Sequence, residues 1–124
     1  MFIDGKMEGI MVRRGYSSEL KAKKELEQIF GFNNVIKVAI GGATDFITVC
    51  LGELIKVVEV KECHKKKFYA SKREKEQMKR IIKFAKQHKI TAELWLYYPT
   101  RGKATIKQIS ILYAPETFPV LRTL

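Results

Sequence analysis

Two cysteines, three prolines and one tryptophan are all that 124 residues hold of those types, and 13 acidic side chains face 24 basic ones. Each shortage excludes something. Cys50 and Cys63 cannot build the disulfide framework of a small secreted domain. Cys63-His64 lacks a second Cys or His pair at finger spacing, so both thiols read as packing residues in a reducing compartment rather than zinc ligands. Nothing approaches the roughly 18 apolar residues that span a bilayer, and no signal-peptide core opens the chain. The expectation is a cytoplasmic protein with no membrane partner. An apolar fraction of 46% excludes global disorder, and the length suits one domain, residues 1–124, with a single sheet-plus-helix core. Residues 1–12 lack a clear period and read as a disordered extension, within which Met11 could serve as an internal start.

Charge is abundant and unevenly placed. The formal net charge is +11, and from Lys56 to Lys89 13 Lys or Arg against four Glu leave +9. Basic excess on one segment is the electrostatic footprint of a polyanion partner, although a solvated lysine-rich helix would look the same by composition.

Periodicity gives the element order. A first helix is expected over 18–30, with Ser17 or Ser18 as N-cap, Gly31 as stop, and Ala22, Leu26, Ile29 and Phe30 as the apolar face. Glu19 falls on that same face, where a carboxylate is either a helix-dipole partner or part of a site. Strands follow over 35–40, 45–50 and 54–61, the last two joined as a hairpin through Leu51-Gly52-Glu53. Ser71-Lys72-Arg73-Glu74 is a capping box that opens a second helix, with a stripe of Met78, Ile81, Ile82 and Ala85 running to about Lys89. Strands over 92–98 and 105–113 precede a tail from Ala114. Its Phe118, Val120, Leu121 and Leu124 must dock on their own domain or on a second subunit. The predicted fold class is α/β (α+β): a three-layer core with a central mixed sheet flanked by helices, in the order α-β-β-β-α-β-β.

Val57-Val58-Glu59-Val60-Lys61 places two opposite charges inside a β-branched run. Strand side chains alternate, so Glu59 and Lys61 share a face. A plain Glu-x-Lys reads as an ordinary ion pair. Asp45 at the start of the preceding strand, inward Glu19 and the basic helix shift that reading toward a metal-dependent phosphodiester-cleaving site. Carboxylates can hold Mg²⁺, which activates water and polarises phosphate oxygens. Asp45 and Glu59 suffice as side-chain ligands, the Val60 carbonyl could complete the set, and Lys61 would face the scissile phosphate or the attacking water. The reading is conditional on register. A two-residue loop at Gly52-Glu53 pairs Phe46 with Glu59 and turns Asp45 away, whereas a three-residue loop or a bulge sets Asp45 opposite Glu59.

In this order, Glu19, Asp45 and Glu59-Val60-Lys61 resemble the PD-(D/E)xK nuclease superfamily, and more closely the archaeal Holliday junction resolvases of the Hjc type. The resemblance covers roughly residues 13–98. It includes Arg14-Gly15-Tyr16-Ser17-Ser18-Glu19, Val35-Ile36-Lys37-Val38-Ala39, Asp45-Phe46-Ile47-Thr48-Val49 and the basic stretch through Phe68-Tyr69-Ala70-Ser71-Lys72. It implies a restriction-endonuclease-like core and a homodimer that nicks four-way DNA junctions in pairs. The implied cofactor is Mg²⁺, with Mn²⁺ able to substitute. Glu19, Asp45, Glu59 and Lys61 would be catalytic, and Glu19, Asp45, Glu59 and Val60 would hold the metal. Arg13, Arg14, Lys37, Lys65, Lys66, Lys67, Ser71 and Lys72 would contact DNA. The chain departs from the family pattern at Leu20, where a basic residue is usual, and in Gly41-Gly42-Ala43-Thr44, which lacks a serine. A different repair or restriction nuclease of this fold, or a basic DNA-binding protein without catalysis, are the competing readings.

Overall fold

The hydroxyl of Ser71 accepts the Glu74 amide at 3.1 Å, and Glu74 Oε1 takes the Ser71 N–H in return at 2.8 Å. This reciprocal cap opens helix α2 (Lys72–His88), which ends where Lys89 enters the left-handed region at φ 55°. Helix α1 (Tyr16–Phe30) starts earlier than its serines predict. Ser17 and Ser18 lie inside its first turn, and the Ser18 hydroxyl donates instead to Glu62 Oε1 at 2.7 Å, 44 residues away in sequence. A short 3₁₀ turn (Phe32–Asn34) follows Gly31, whose φ of 102° suits a residue without a side chain. The computed structural model describes residues 16–40, 45–99 and 105–115. The expected extension at 1–12 and most of the apolar tail lie outside the described residues.

Five strands form one sheet in sequence order: β1 (Val35–Val38), β2 (Asp45–Cys50), β3 (Glu53–Glu62), β4 (Thr91–Tyr97) and β5 (Ile106–Tyr113). β3 and β4 are parallel, joined by α2 as a crossover, and the other neighbours are antiparallel. The result is the expected α+β domain with a mixed sheet between two helices, consistent with a restriction-endonuclease-like core. Observed β1 stops two residues short of the predicted strand, and β3 runs one residue further at each end.

Each helix covers one face. Ala22 and Leu26 of α1 pack with Val35, Phe46, Val58, Val60, Trp95 and Tyr97, and Phe30 joins them. Ile29 belongs to that stripe by spacing yet is 63% exposed. It lies in the last turn of α1. On the opposite face Ile81 and Ala85 of α2 pack with Val57, Ile90 and Ala92, while Phe84 joins them from the side. Met78 and Ile82, predicted for the stripe, are only half-buried, and Gln77 occupies a fully inward position.

The β2–β3 hairpin turns on two residues, Leu51 and Gly52, with φ of 53° and 82°. The expected three-residue connection is therefore one residue shorter. Cys50 pairs with Glu53 and Val49 with Leu54, a register that would set Asp45 opposite Val58 if it continued. It does not continue. Thr48 pairs with Lys56, leaving Ile55 as an extra residue in β3, and the shifted ladder ends with Asp45 opposite Glu59. The bulge puts both carboxylates on the α2 face.

Leu51 is 97% exposed and held in the left-handed region, so it contributes strain without packing. Replacing it with Asn, which tolerates that conformation in two-residue turns, should stabilise the fold by about 0.5–1 kcal/mol. Urea unfolding should show a higher midpoint with an unchanged slope.

Candidate active site

Asp45 and Glu59 are both completely buried, directly opposite one another on neighbouring strands. Lys61, two residues beyond Glu59 on the same face, places its Nζ 3.2 Å from Glu59 Oε2. The same ammonium donates to Gln77 Oε1 of α2 at 2.5 Å. Glu59 Oε1 accepts no hydrogen bond from the protein. A buried carboxylate oxygen with no donor is costly, and it is the arrangement expected where a ligand supplies the missing positive charge.

The electrostatics agree. Burial pushes the Glu59 carboxyl above its ordinary value of 4.5; Lys61 pulls it down, and the neighbouring charges of Asp45 and, more weakly, Glu74 push it up again. Desolvation therefore wins over the lysine. Among the described residues no three His, Cys, Asp or Glu side chains cluster closely enough to hold a metal. The donor set is thus a carboxylate pair, which fits Mg²⁺, an ion that takes one or two carboxylates and retains its waters. β3 runs past the Asp45–Glu59 pair, so the main chain at Val60 lies at the rim of this group.

Glu19 is buried as expected but stands on the other layer. From α1 it forms an ion pair with Lys37 of β1, whose side chain shares the face of Phe46 rather than that of Asp45. Glu19 comes to the same end of the sheet as Asp45, since Val38, next to Lys37, is the residue opposite Asp45. Lys37, an expected DNA contact, is half exposed while making this pair.

The remaining basic candidates gather in the β3–α2 connection. Lys65, Lys66, Lys67, Ser71 and Lys72 are all exposed. A hollow of about 390 Å³ at the start of α2 is lined by Lys65, Lys67, Ser71, Tyr69 and His64 together with Glu62 and Glu74. His64 Nε2 lies 2.7 Å from Glu62 Oε2, so the carboxylate that receives Ser18 also holds this loop. Cys63 is buried, its thiol directed at the Lys65 and Lys67 carbonyls, a packing role as predicted. Cys50, predicted likewise to pack, is instead exposed at the end of β2, beside the turn. Arg13 and Arg14 lie outside the described residues. Gln77 was not singled out by sequence, although a signal existed: it sits four residues before Ile81 and eight before Ala85, a polar group on the inward stripe.

A family model described as archaeal Holliday junction resolvase (Hjc) matches residues 10–117 of the chain. No curated protein and no solved structure matches.

Because the native pKa of Glu59 is raised, ionising it costs stability. That cost is absent below the ordinary carboxylate value, grows as pH rises from there toward the native value, and is fully present above it. Glu59→Gln should therefore be more stable than the wild type at pH 7 in the absence of metal, by about 1.4 kcal/mol for each pKa unit of elevation. The gain should shrink toward zero near pH 4. Urea midpoints of both proteins at the two pH values decide it, and a less stable variant at pH 7 contradicts the assignment.

Proposed function

The chain belongs to the archaeal Holliday junction resolvase family, and we propose that it acts as a Mg²⁺-dependent, structure-selective endonuclease that resolves four-way DNA junctions as a homodimer. The observation that carries this reading is the fully buried Asp45–Glu59 pair with Lys61 beside it and a lysine-rich loop at the same end of β3. A buried pair of like charges is not what a sheet would adopt for stability alone.

In this reading Asp45 and Glu59 would hold the ion, with the Val60 carbonyl as the main-chain ligand. When bound, Mg²⁺ supplies a water acidic enough to attack phosphorus and neutralises charge on the phosphate oxygens. Lys61 uses an N–H directed away from Glu59 and Gln77 to hold a phosphate oxygen or to orient the attacking water. Glu19, which tethers α1 to β1 through Lys37, would be a further carboxylate for the ion. Lys65, Lys66, Lys67 and Lys72, with Arg13 and Arg14, bind backbone phosphates and fix position without reading sequence. Tyr69, 77% exposed among these lysines, can stack on an unpaired base at a branch point. Two sites related by a two-fold axis make the paired nicks that a four-way junction requires.

Labelled four-way junction, linear duplex and single strand, each with Mg²⁺ or EDTA, test the reading. Symmetric nicks in the junction alone, only with the ion, are the expected result, together with a dimer mass in sedimentation. Cleavage of every duplex points to a nuclease of the same fold with another substrate. Binding without product in either Mg²⁺ or Mn²⁺ leaves only a DNA-binding protein. Asp45→Ala and Glu59→Ala should abolish cleavage and leave junction affinity within about threefold, because affinity comes from the basic surface.

A further inference from the structure

We propose that Gln77 is the positioning residue of the site, fixing the Lys61 ammonium beside Glu59 so that a free N–H can reach the reacting phosphate. The proposal deepens the nuclease reading and rests on it for its catalytic part. The geometry begins with the lysine. An ammonium has three donors and no acceptor, so the amide oxygen of Gln77 must be the atom that faces it. Gln77 Oε1 takes one of the three N–H directions, while Glu59 Oε2, 3.2 Å away, is an ion-pair partner that accepts no hydrogen bond. The Gln77 bond is therefore the directional contact that orients the ammonium, and its other N–H groups are left for a phosphate oxygen. Without the amide, a four-carbon side chain held by a single partner recovers much of its rotamer freedom.

Gln77 can do this because its own position is rigid. It is 8% exposed, and one and two turns further along α2 the side chains of Ile81 and Ala85 are wholly enclosed by the sheet. A polar side chain on that stripe costs stability unless it is satisfied, and Lys61 is the partner that satisfies it. The amide is also the suitable acceptor in charge. A carboxylate there would add a third negative group to Asp45 and Glu59, whereas the neutral oxygen orients the lysine without doing so.

Gln77→Met, which keeps the length and shape but loses the acceptor, isolates the hydrogen bond. Expected is a fall in single-turnover rate of roughly 10- to 100-fold, the scale of a small misplacement of a reacting group. Junction Kd and KM should stay unchanged. In a Lys61→Ala background the same substitution should have no further effect on rate, since Gln77 acts only through Lys61. Independently of activity, NMR relaxation of the Lys61 side chain in the metal-free protein should show an ordered terminal carbon that becomes mobile in Gln77→Met. Wild-type rate and unchanged Lys61 order in Gln77→Met would overturn the proposal, as would an equal rate loss in the Lys61→Ala background. A wild type that cleaves nothing removes the nuclease reading instead, and the relaxation comparison then still decides whether Gln77 holds the lysine.

Discussion

One extra residue, Ile55, determines whether Asp45 and Glu59 meet. The Leu51-Gly52 turn by itself would set Asp45 against Val58 and send its carboxylate to the α1 side of the sheet. The bulge shifts the ladder by one, and because strand side chains alternate, that single step moves Asp45 to the face of Glu59. The other parts of the site follow from that step. Lys61 reaches the same face by its spacing from Glu59, and α2 lays Gln77 over it. The cost is two carboxylates fully removed from water side by side, with the Lys61 ammonium beside Glu59. Bulges recur near active sites because they re-aim side chains in this way.

What was legible in the sequence is what depends on neighbours along the chain. The capping box at Ser71 and Glu74 needs only a four-residue spacing, and it is present in full. The Asp45–Cys50 strand was bounded correctly by its β-branched run. Register was not legible in the same way: the residues permitted a regular hairpin or a bulged one, and only the requirement that Asp45 meet Glu59 distinguished them. Ser18 shows the limit most clearly. As a serine at the start of a helix it reads as a cap, but a carboxylate 44 residues away offers its hydroxyl a better partner. Glu19 was placed inward correctly, whereas its ion pair with Lys37 depends on how α1 lies across β1. Gln77 escaped notice because a stripe is recognised by its apolar members, and a polar residue within it looks like a gap.

The division of the sheet into two faces separates the chemistry from the support. On the α1 side lie the aromatic core residues Phe46, Trp95 and Tyr97, and the phenol of Tyr97 is driven further from ionising by burial and by Glu25. On the α2 side lie the carboxylates and the lysine. On the α1 side, Ser18 in the first turn of α1 holds Glu62 and, through it, the His64 loop. That small tie joins the lysine-rich connection to the rest of the domain.

Trp95 gives this arrangement an optical consequence. It is the chain's one tryptophan, 2% exposed, its indole N–H held by Glu93 Oε1 at 2.9 Å. Its ring lies on the α1 side of β4, with the thickness of the sheet between it and Asp45 and Glu59. Tryptophan emission therefore comes from a single shielded indole that reports the collapse of the α1 layer. Excited selectively, that one indole follows unfolding of the α1 layer with no second tryptophan to mask it.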